Sequence, residues 1–445
     1  MRKKSNLYIV HCIDTEGPLN ETIDATFDRL KDLFKISIEA SPDNLFKLQN
    51  GYINLNGIEE EVSKILNPRF LNYNKNWFDI EKMLSKVTSL NFRNQYLDSI
   101  GGGWVFSWHC VDHLGLLENP RDKDYGYGKI FRRYRNYLNK FRCLNDEINW
   151  HFHPLSLKHN PLAPATSYHN SLNLFNNILC KRIIEDNWFP TTNRPGFHSI
   201  RQDSNLLLEQ WIPFDYSNQA MFNESITKQS DLIGGRFGDW RRAPKNWIGY
   251  NPDIHDYQIP GECKRWIFKC LNIGTRARCI DEEEIENAFL DSRNIGSAIL
   301  AIASHDYRDL ALDVQEFLVM LSKIKIKYPD VNIIFSGAES AAKKHINFLN
   351  PKLKEFMPPK IKILFDGNVA HVKLVQGVIM GSQPFLSIRT LDGEYFHDNF
   401  DEVSPGKSWQ YIFDDNTLPF NSISRVGVGC AGRYGGFSVS NVTLV

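Results

Sequence analysis

The chain has 445 residues, more than one hydrophobic core usually serves, so length alone predicts two domains. Hydrophobic residues make up 42% and charged residues 23%, a folded globular composition rather than a disordered one. Lysine plus arginine equals aspartate plus glutamate at 52 each, a balance that gives no support to nucleic-acid or membrane-surface binding. Aromatic residues are 13% of the chain, which suits either a well-filled core or stacking on sugar rings. Eight cysteines are scattered at 12, 110, 143, 180, 263, 270, 279 and 430 with no CxxC pair. The basic start Met1-Arg2-Lys3-Lys4 is followed by too short an apolar run for a signal peptide, and no stretch approaches the ~20 residues of a membrane span. Reduced thiols in a cytoplasmic protein are the expectation.

In chain order, Leu7-Tyr8-Ile9-Val10-His11-Cys12-Ile13 reads as a buried strand running into Asp14-Thr15-Glu16-Gly17-Pro18. Residues 20–100 carry helical patterns, Ile58 to Leu66 and Phe78 to Leu90 among them, and read as an insertion above that strand, a lid or an oligomer contact. Further strands are expected at Gly103–Asp112, Glu147–His153, a short segment starting near Trp188, Ser297–Ser304 and Val331–Phe335. Helices are expected at Ser171–Asn187, Asp309–Lys327 and from Val331–Phe335 onward through His345. This alternation argues for a parallel sheet or barrel, with chemistry at the carboxyl ends of the strands. The pattern changes near Met357-Pro358-Pro359: short β-branched stretches separated by Asp366-Gly367, Asp392-Gly393 and Pro405-Gly406 predict a β-sandwich over 358–445.

Several strand ends carry groups suited to one site. Asp14 and Glu16, at i and i+2, point to one side of an extended chain, and two carboxylates there are costly to desolvate unless something uses them. His151 and His153 in Trp150-His151-Phe152-His153-Pro154 also share a face and, with one carboxylate, make the donor set of an open catalytic zinc site; otherwise they are ordinary strand-end histidines. Arg194 in Asn193-Arg194-Pro195-Gly196-Phe197-His198 is either a surface arginine before a turn or a bidentate clamp on a carboxylate. His305 in Ser304-His305-Asp306 suits a general acid, with a helix N-cap cluster built on Ser304 and Asp306 as the alternative. Asp215 in Phe214-Asp215-Tyr216-Ser217 reads as a further strand-end acid suited to support a histidine, and Gly238-Asp239-Trp240-Arg241-Arg242 is a sugar-pocket or solvated loop.

In this order the motifs resemble the polysaccharide deacetylase (NodB-homology, carbohydrate esterase 4-like) superfamily over roughly residues 5–345. The resemblance implies a distorted (β/α)7 barrel at 1–357, with Asp14 as catalytic base, Glu16, His151 and His153 as ligands of a divalent metal, most simply zinc, Arg194 orienting the base, and His305 as acid supported by Asp215. Two departures mark an atypical member: the first motif is Asp-x-Glu rather than Asp-Asp, and the two histidines are separated by one residue rather than three. The implied activity is hydrolysis of an N-acyl group on a sugar or polysaccharide precursor, with a carbohydrate as partner and surface-glycan assembly as setting. A non-catalytic glycan-binding protein on the same barrel, or an amidohydrolase acting on a non-sugar C–N bond, are the alternatives. Trp409, Tyr411 and Tyr434 are stacking candidates or core residues of the terminal module.

Overall fold

The apolar run near the amino terminus becomes the strand around which the molecule closes. The computed structural model describes residues 5–112, 128–155, 167–223, 238–351 and 357–444. In it, β1 (Ser5–Thr15) is buried along almost its whole length. It joins β2 (Phe106–Val111), β3 (Glu147–Phe152), β4 (Thr192–Pro195), β5 (Phe214–Asn218), β6 (Trp266–Asn272) and β7 (Ser297–His305) in a parallel ring that returns from β7 to β1. An eighth strand, β8 (Val331–Phe335), pairs with Ser5–Ile9 of β1, while β2 takes His11–Thr15. One edge of β1 thus serves two partners in turn. The architecture is a closed seven-stranded parallel barrel with helices around it.

Alternation along the strands separates the two sides of the barrel wall. Tyr8, Val10 and Cys12 of β1, Phe214 and Tyr216 of β5, Phe268 and Cys270 of β6, and Ile299, Ala301 and Ala303 of β7 fill the interior as one cluster. Leu7, Ile9, Ile13, Trp108, Trp150 and Leu300 face outward and pack on the helices. Continuing the inward parity by one step places Asp14 and His305 at the carboxyl-end mouth, directly paired across β1 and β7.

Between β1 and β2 lie six helices: α1 (Ile23–Phe34), α2 (Pro42–Gln49), α3 (Glu59–Ile65), α4 (Pro68–Leu71), α5 (Trp77–Val87) and α6 (Leu90–Asn94). This is the helical insertion expected at 20–100. Backbone-level bonds fasten it to the mouth: the Asn74 amide donates to the carbonyls of Asp306 and Arg308 (2.8 and 3.1 Å), the Asn74 N–H to Tyr307 (2.8 Å), and Arg276 to the carbonyls of Ile65 and Phe70 (both 2.9 Å). The remaining helices are α7 (Lys129–Lys140), α8 (Leu172–Asp186), α9 (Gln202–Trp211), α10 (Glu282–Ile295), α11 (Leu310–Lys325) and α12 (Ala338–Leu349), the last packed against the interior cluster.

The terminal module is all-β, as its turn-rich sequence predicts. Among the described residues, β9 (Lys360–Asp366), β10 (Val369–Gln376), β13 (Asp401–Ser404) and β14 (Ser408–Ile412) form one antiparallel sheet. A second contains β11 (Phe385–Thr390), β12 (Tyr395–Phe396), β15 (Ile423–Ala431) and β16 (Phe437–Thr443). Both contribute to one apolar core that includes Ile363, Val372, Ile388, Trp409, Tyr411 and Val428. Trp409 and Tyr411 are therefore core residues, not stacking surfaces for sugar, because the inward parity of β14 buries both. Tyr434 is half-buried against the cluster of the barrel interior. The other face of the second sheet packs on α8: the Ser387 hydroxyl donates to the Cys180 carbonyl (3.0 Å) and the Asn441 amide to that of Ile183 (2.9 Å). No helix of the described residues is long and apolar enough to cross a membrane.

Candidate metal and active site

Asp14 is buried, and the turn after it is shaped by a residue that lies far away in the chain. The backbone N–H groups of Glu16 and Gly17 donate to the two carboxylate oxygens of Asp306 (2.9 and 3.0 Å), and the Tyr134 hydroxyl donates to the second of these (2.8 Å). Gly17 takes a left-handed conformation at φ 76°, where a side chain would be strained. Asp306 thus fixes the backbone that carries Glu16. It does not cap the following helix; Asp309 does, accepting from the N–H groups of Ala311 and Leu312, while Ser304 is bonded to His11 on the outward side of the barrel wall.

Glu16, His151 and His153 converge. One oxygen of Glu16 lies 3.5 Å from His151 Nε2 and 3.4 Å from His153 Nε2, and the two imidazole nitrogens are 2.9 Å apart. His151 Nδ1 is 2.7 Å from the Arg194 carbonyl oxygen, which can only accept, so the proton sits on Nδ1 and the lone pair of Nε2 faces the other two donors. A circle through the three donor atoms has a radius of about 1.9 Å, close to the bond lengths of a small divalent cation, so the three would be able to share one ion. All three residues are buried, and together they form a set able to hold a metal ion. Gly196 makes the approach of His153 possible: a Cβ there would stand 2.2 Å from its ring.

Asp14 belongs to a second group beside that set. Arg194 grips it with two parallel bonds, Nε to Oδ1 (2.7 Å) and Nη2 to Oδ2 (3.0 Å), and its Nη1 donates to the Tyr216 carbonyl (2.7 Å). Burial alone would raise the Asp14 carboxyl, but the Arg194 charge, with His151 and His305 beyond it, outweighs burial and holds the group well below the usual carboxylate range. His305 Nε2 lies 4.0 Å from both Asp14 Oδ2 and Glu16 Oε1, and its ring stacks on Tyr307 at 4.8 Å. Six of the seven residues singled out from sequence therefore meet at one barrel mouth.

Asp215 does not join them. Phe214 and Tyr216 point into the barrel, so Asp215 between them points outward to the helix layer. There its carboxylate accepts from Arg265 (2.7 Å), Asn193 (3.1 Å) and Ser217, and β6 separates its strand from that of His305. Its role is a buried ion pair behind the wall rather than support for the acid. The loop at 238–244 is also structural in part: Trp240 is buried and its indole N–H donates to the His198 carbonyl (3.0 Å), while Arg241 and Arg242 pair with Asp239 and Asp256.

Comparison with protein-family models, curated proteins and solved structures finds no match. The chemistry of the site rests on its own geometry.

Two residues escaped the sequence reading. Asp306 was visible only as a possible cap, because its partners Glu16 and Gly17 are about 290 positions away. His198 follows the Arg194 turn and stands 3.5 Å from Arg194 Nη2; the Arg194-Pro195-Gly196 turn was the available signal.

Proposed function

We propose that the protein is a metal-dependent deacetylase that hydrolyses the N-acyl group of an amino sugar or polysaccharide precursor during surface-glycan assembly, on a barrel of the polysaccharide deacetylase type. The carrying observation is the pairing, at one mouth, of a three-donor cation set with a separate carboxylate that an arginine keeps ionised. The two-nitrogen, one-oxygen donor set fits zinc, with Glu16, His151 and His153 as its holders. When bound, the ion supplies Lewis-acid polarisation and a more acidic water.

The remaining roles fall to the chain. Asp14, ionised at neutral pH, accepts the proton of the attacking water as general base. Arg194 keeps the Asp14 carboxylate in place and is itself anchored to the Tyr216 carbonyl. His305, within 4.0 Å of both carboxylates, delivers a proton to the departing amine. The mouth is walled by the 20–100 insertion, which the Asn74 and Arg276 bonds hold against it.

The test is acetate release from acetamido sugars and their oligosaccharides by the zinc-loaded chain. Release is expected, and Asp14→Asn should lower it by about 10²- to 10⁴-fold with metal content unchanged. His151→Ala and His153→Ala should each lose the metal. A fully zinc-loaded chain that releases acetate from none of these substrates would overturn the assignment.

A further inference from the structure

A strained turn on the wall opposite His305 carries a group that neither the cation set nor the Asp14–Arg194 pair uses. Phe197 and His198 both sit in the left-handed region, at φ 56° and 49°, where residues with side chains rarely go. The surroundings impose this conformation. Gly238 donates its N–H to the Phe197 carbonyl (3.1 Å), Trp240 donates to that of His198 (3.0 Å), and a Cβ on Gly238 would stand 1.8 Å from the His198 oxygen. The turn lays the Phe197 ring edge-on against His153 at 5.1 Å and brings the His198 imidazole, partly exposed, beside Arg194.

The neighbours of that imidazole fix where its proton lies. The Asn272 amide N–H group donates to the Ala277 carbonyl (2.8 Å), so Asn272 turns its oxygen to Gln219, 3.3 Å from Gln219 Nε2. Gln219 therefore presents its NH₂ in this direction, and the same nitrogen is 2.8 Å from His198 Nε2. Reversing the Gln219 amide would set two amide oxygens 3.3 Å apart. Arg194, on the other side, is also only a donor, and at 3.5 Å it is at the limit of a hydrogen bond. A neutral imidazole has one acceptor nitrogen, and the 2.8 Å contact takes it. Burial, then the Arg194 charge, push His198 well below its ordinary value, so the ring is neutral. Nδ1 then carries a proton that faces a guanidinium rather than an acceptor.

We propose that His198 is a substrate-contacting residue, its Nδ1–H donating to a carbonyl or hydroxyl oxygen of the ligand bound beside Asp14 and Arg194. An oxygen placed there also accepts from Arg194 Nη2, which relieves the donor-to-donor contact. The proposal rests on the reading of this mouth as a substrate site, and it deepens that reading by requiring an oxygen acceptor next to the reacting group.

The first measurement needs no activity. Long-range ¹H–¹⁵N spectra of histidine-labelled, zinc-loaded protein, with His198 assigned by its loss in His198→Asn, should show the proton on Nδ1 and a bare Nε2. Gln219→Glu, which offers only acceptors, should move the proton to Nε2. Acetate, a simple oxygen acceptor, should shift the wild-type Nδ1 signal. A wild-type Nε2 proton, or no shift with acetate, overturns the proposal. The second measurement uses shape: asparagine places an amide N–H where Nδ1 lies, and glutamine places one where Nε2 lies. With an acetamido sugar, His198→Ala and His198→Gln should each lose about tenfold in kcat/KM, and His198→Asn should recover most of that loss. Equal behaviour of the asparagine and glutamine variants overturns the proposal. An inactive wild type with the Nδ1 proton and acetate shift in place would fail the deacetylase reading alone.

Discussion

Asp306 is not one of the three residues able to hold the cation, yet it sets the position of one. Its carboxylate holds the N–H groups of Glu16 and Gly17, so removing it frees the backbone on which Glu16 stands. Partners of this kind are worth about 10- to 100-fold in metal affinity. Asp306→Ala should weaken zinc binding by that factor in a chelator competition, with His151 and His153 still present; unchanged affinity would remove Asp306 from the site. At this scale the sequence was informative where a side chain's direction follows from alternation. Asp14, Glu16, His151, His153, Arg194 and His305 sit at strand ends, and their common mouth follows from strand parity. Asp215 was misread for the same reason in reverse: aromatic Phe214 and Tyr216 claim the interior, which sends the acid between them outward to Arg265. Asp306 and His198 act through partners distant in the chain or through a turn conformation, and their local signs, a possible cap and the Arg194-Pro195-Gly196 turn, do not point to those partners.

The elements also show what local patterns convey. Val331–Phe335 is a strand over the predicted bounds, and the predicted Ser171–Asn187 helix appears as Leu172–Asp186, because an apolar run marks the first and Phe175, Ile178, Leu179 and Ile183 recur at helical spacing in the second. β6 was not anticipated; Trp266–Asn272 contains a lysine and an asparagine, and the buried Lys269 donates to Glu284 of α10 (2.6 Å) and to the Lys245 carbonyl (2.8 Å). The start of β3 shows an interaction of another kind. The Glu147 carboxylate accepts from the N–H groups of Glu339 and Ser340 (2.7 and 2.9 Å) in the first turn of α12. Burial, then the nearby Glu339 charge, push Glu147 up to about 7. A folded value above the unfolded one, about 4.3, means stability present at low pH and lost as pH rises through 7. Urea unfolding at a series of pH values should show stability falling between about pH 5 and 8. In Glu147→Gln that part of the slope should disappear; an identical slope would place the titration elsewhere.

Over the whole molecule, the barrel and the all-β module are joined by more than a linker. β15 lies so close to α8 that glycine is required at 429: a Cβ there would be 2.7 Å from Phe189 and 2.8 Å from Ile183. Gly429→Ala should cost about 1–3 kcal/mol by overpacking. If barrel and module unfold together, intrinsic tryptophan fluorescence and far-UV dichroism will report one shifted transition in urea. Two transitions, with only one moved, would show that they unfold separately. The glycine was legible as a residue but its reason was not, since the helix it meets lies about 245 positions earlier in the chain.

The shared edge of β1 has a consequence for the order of assembly. This strand is made before each of its partners β2, β7 and β8, the last of them ending at Phe335. Until β8 has been synthesised, a greasy segment waits with unpaired amides, open to association with other nascent chains. His305 arrives on one of those late strands. His305 therefore reaches the mouth only at ring closure, so a half-made barrel can gather Glu16, His151 and His153 while still lacking it.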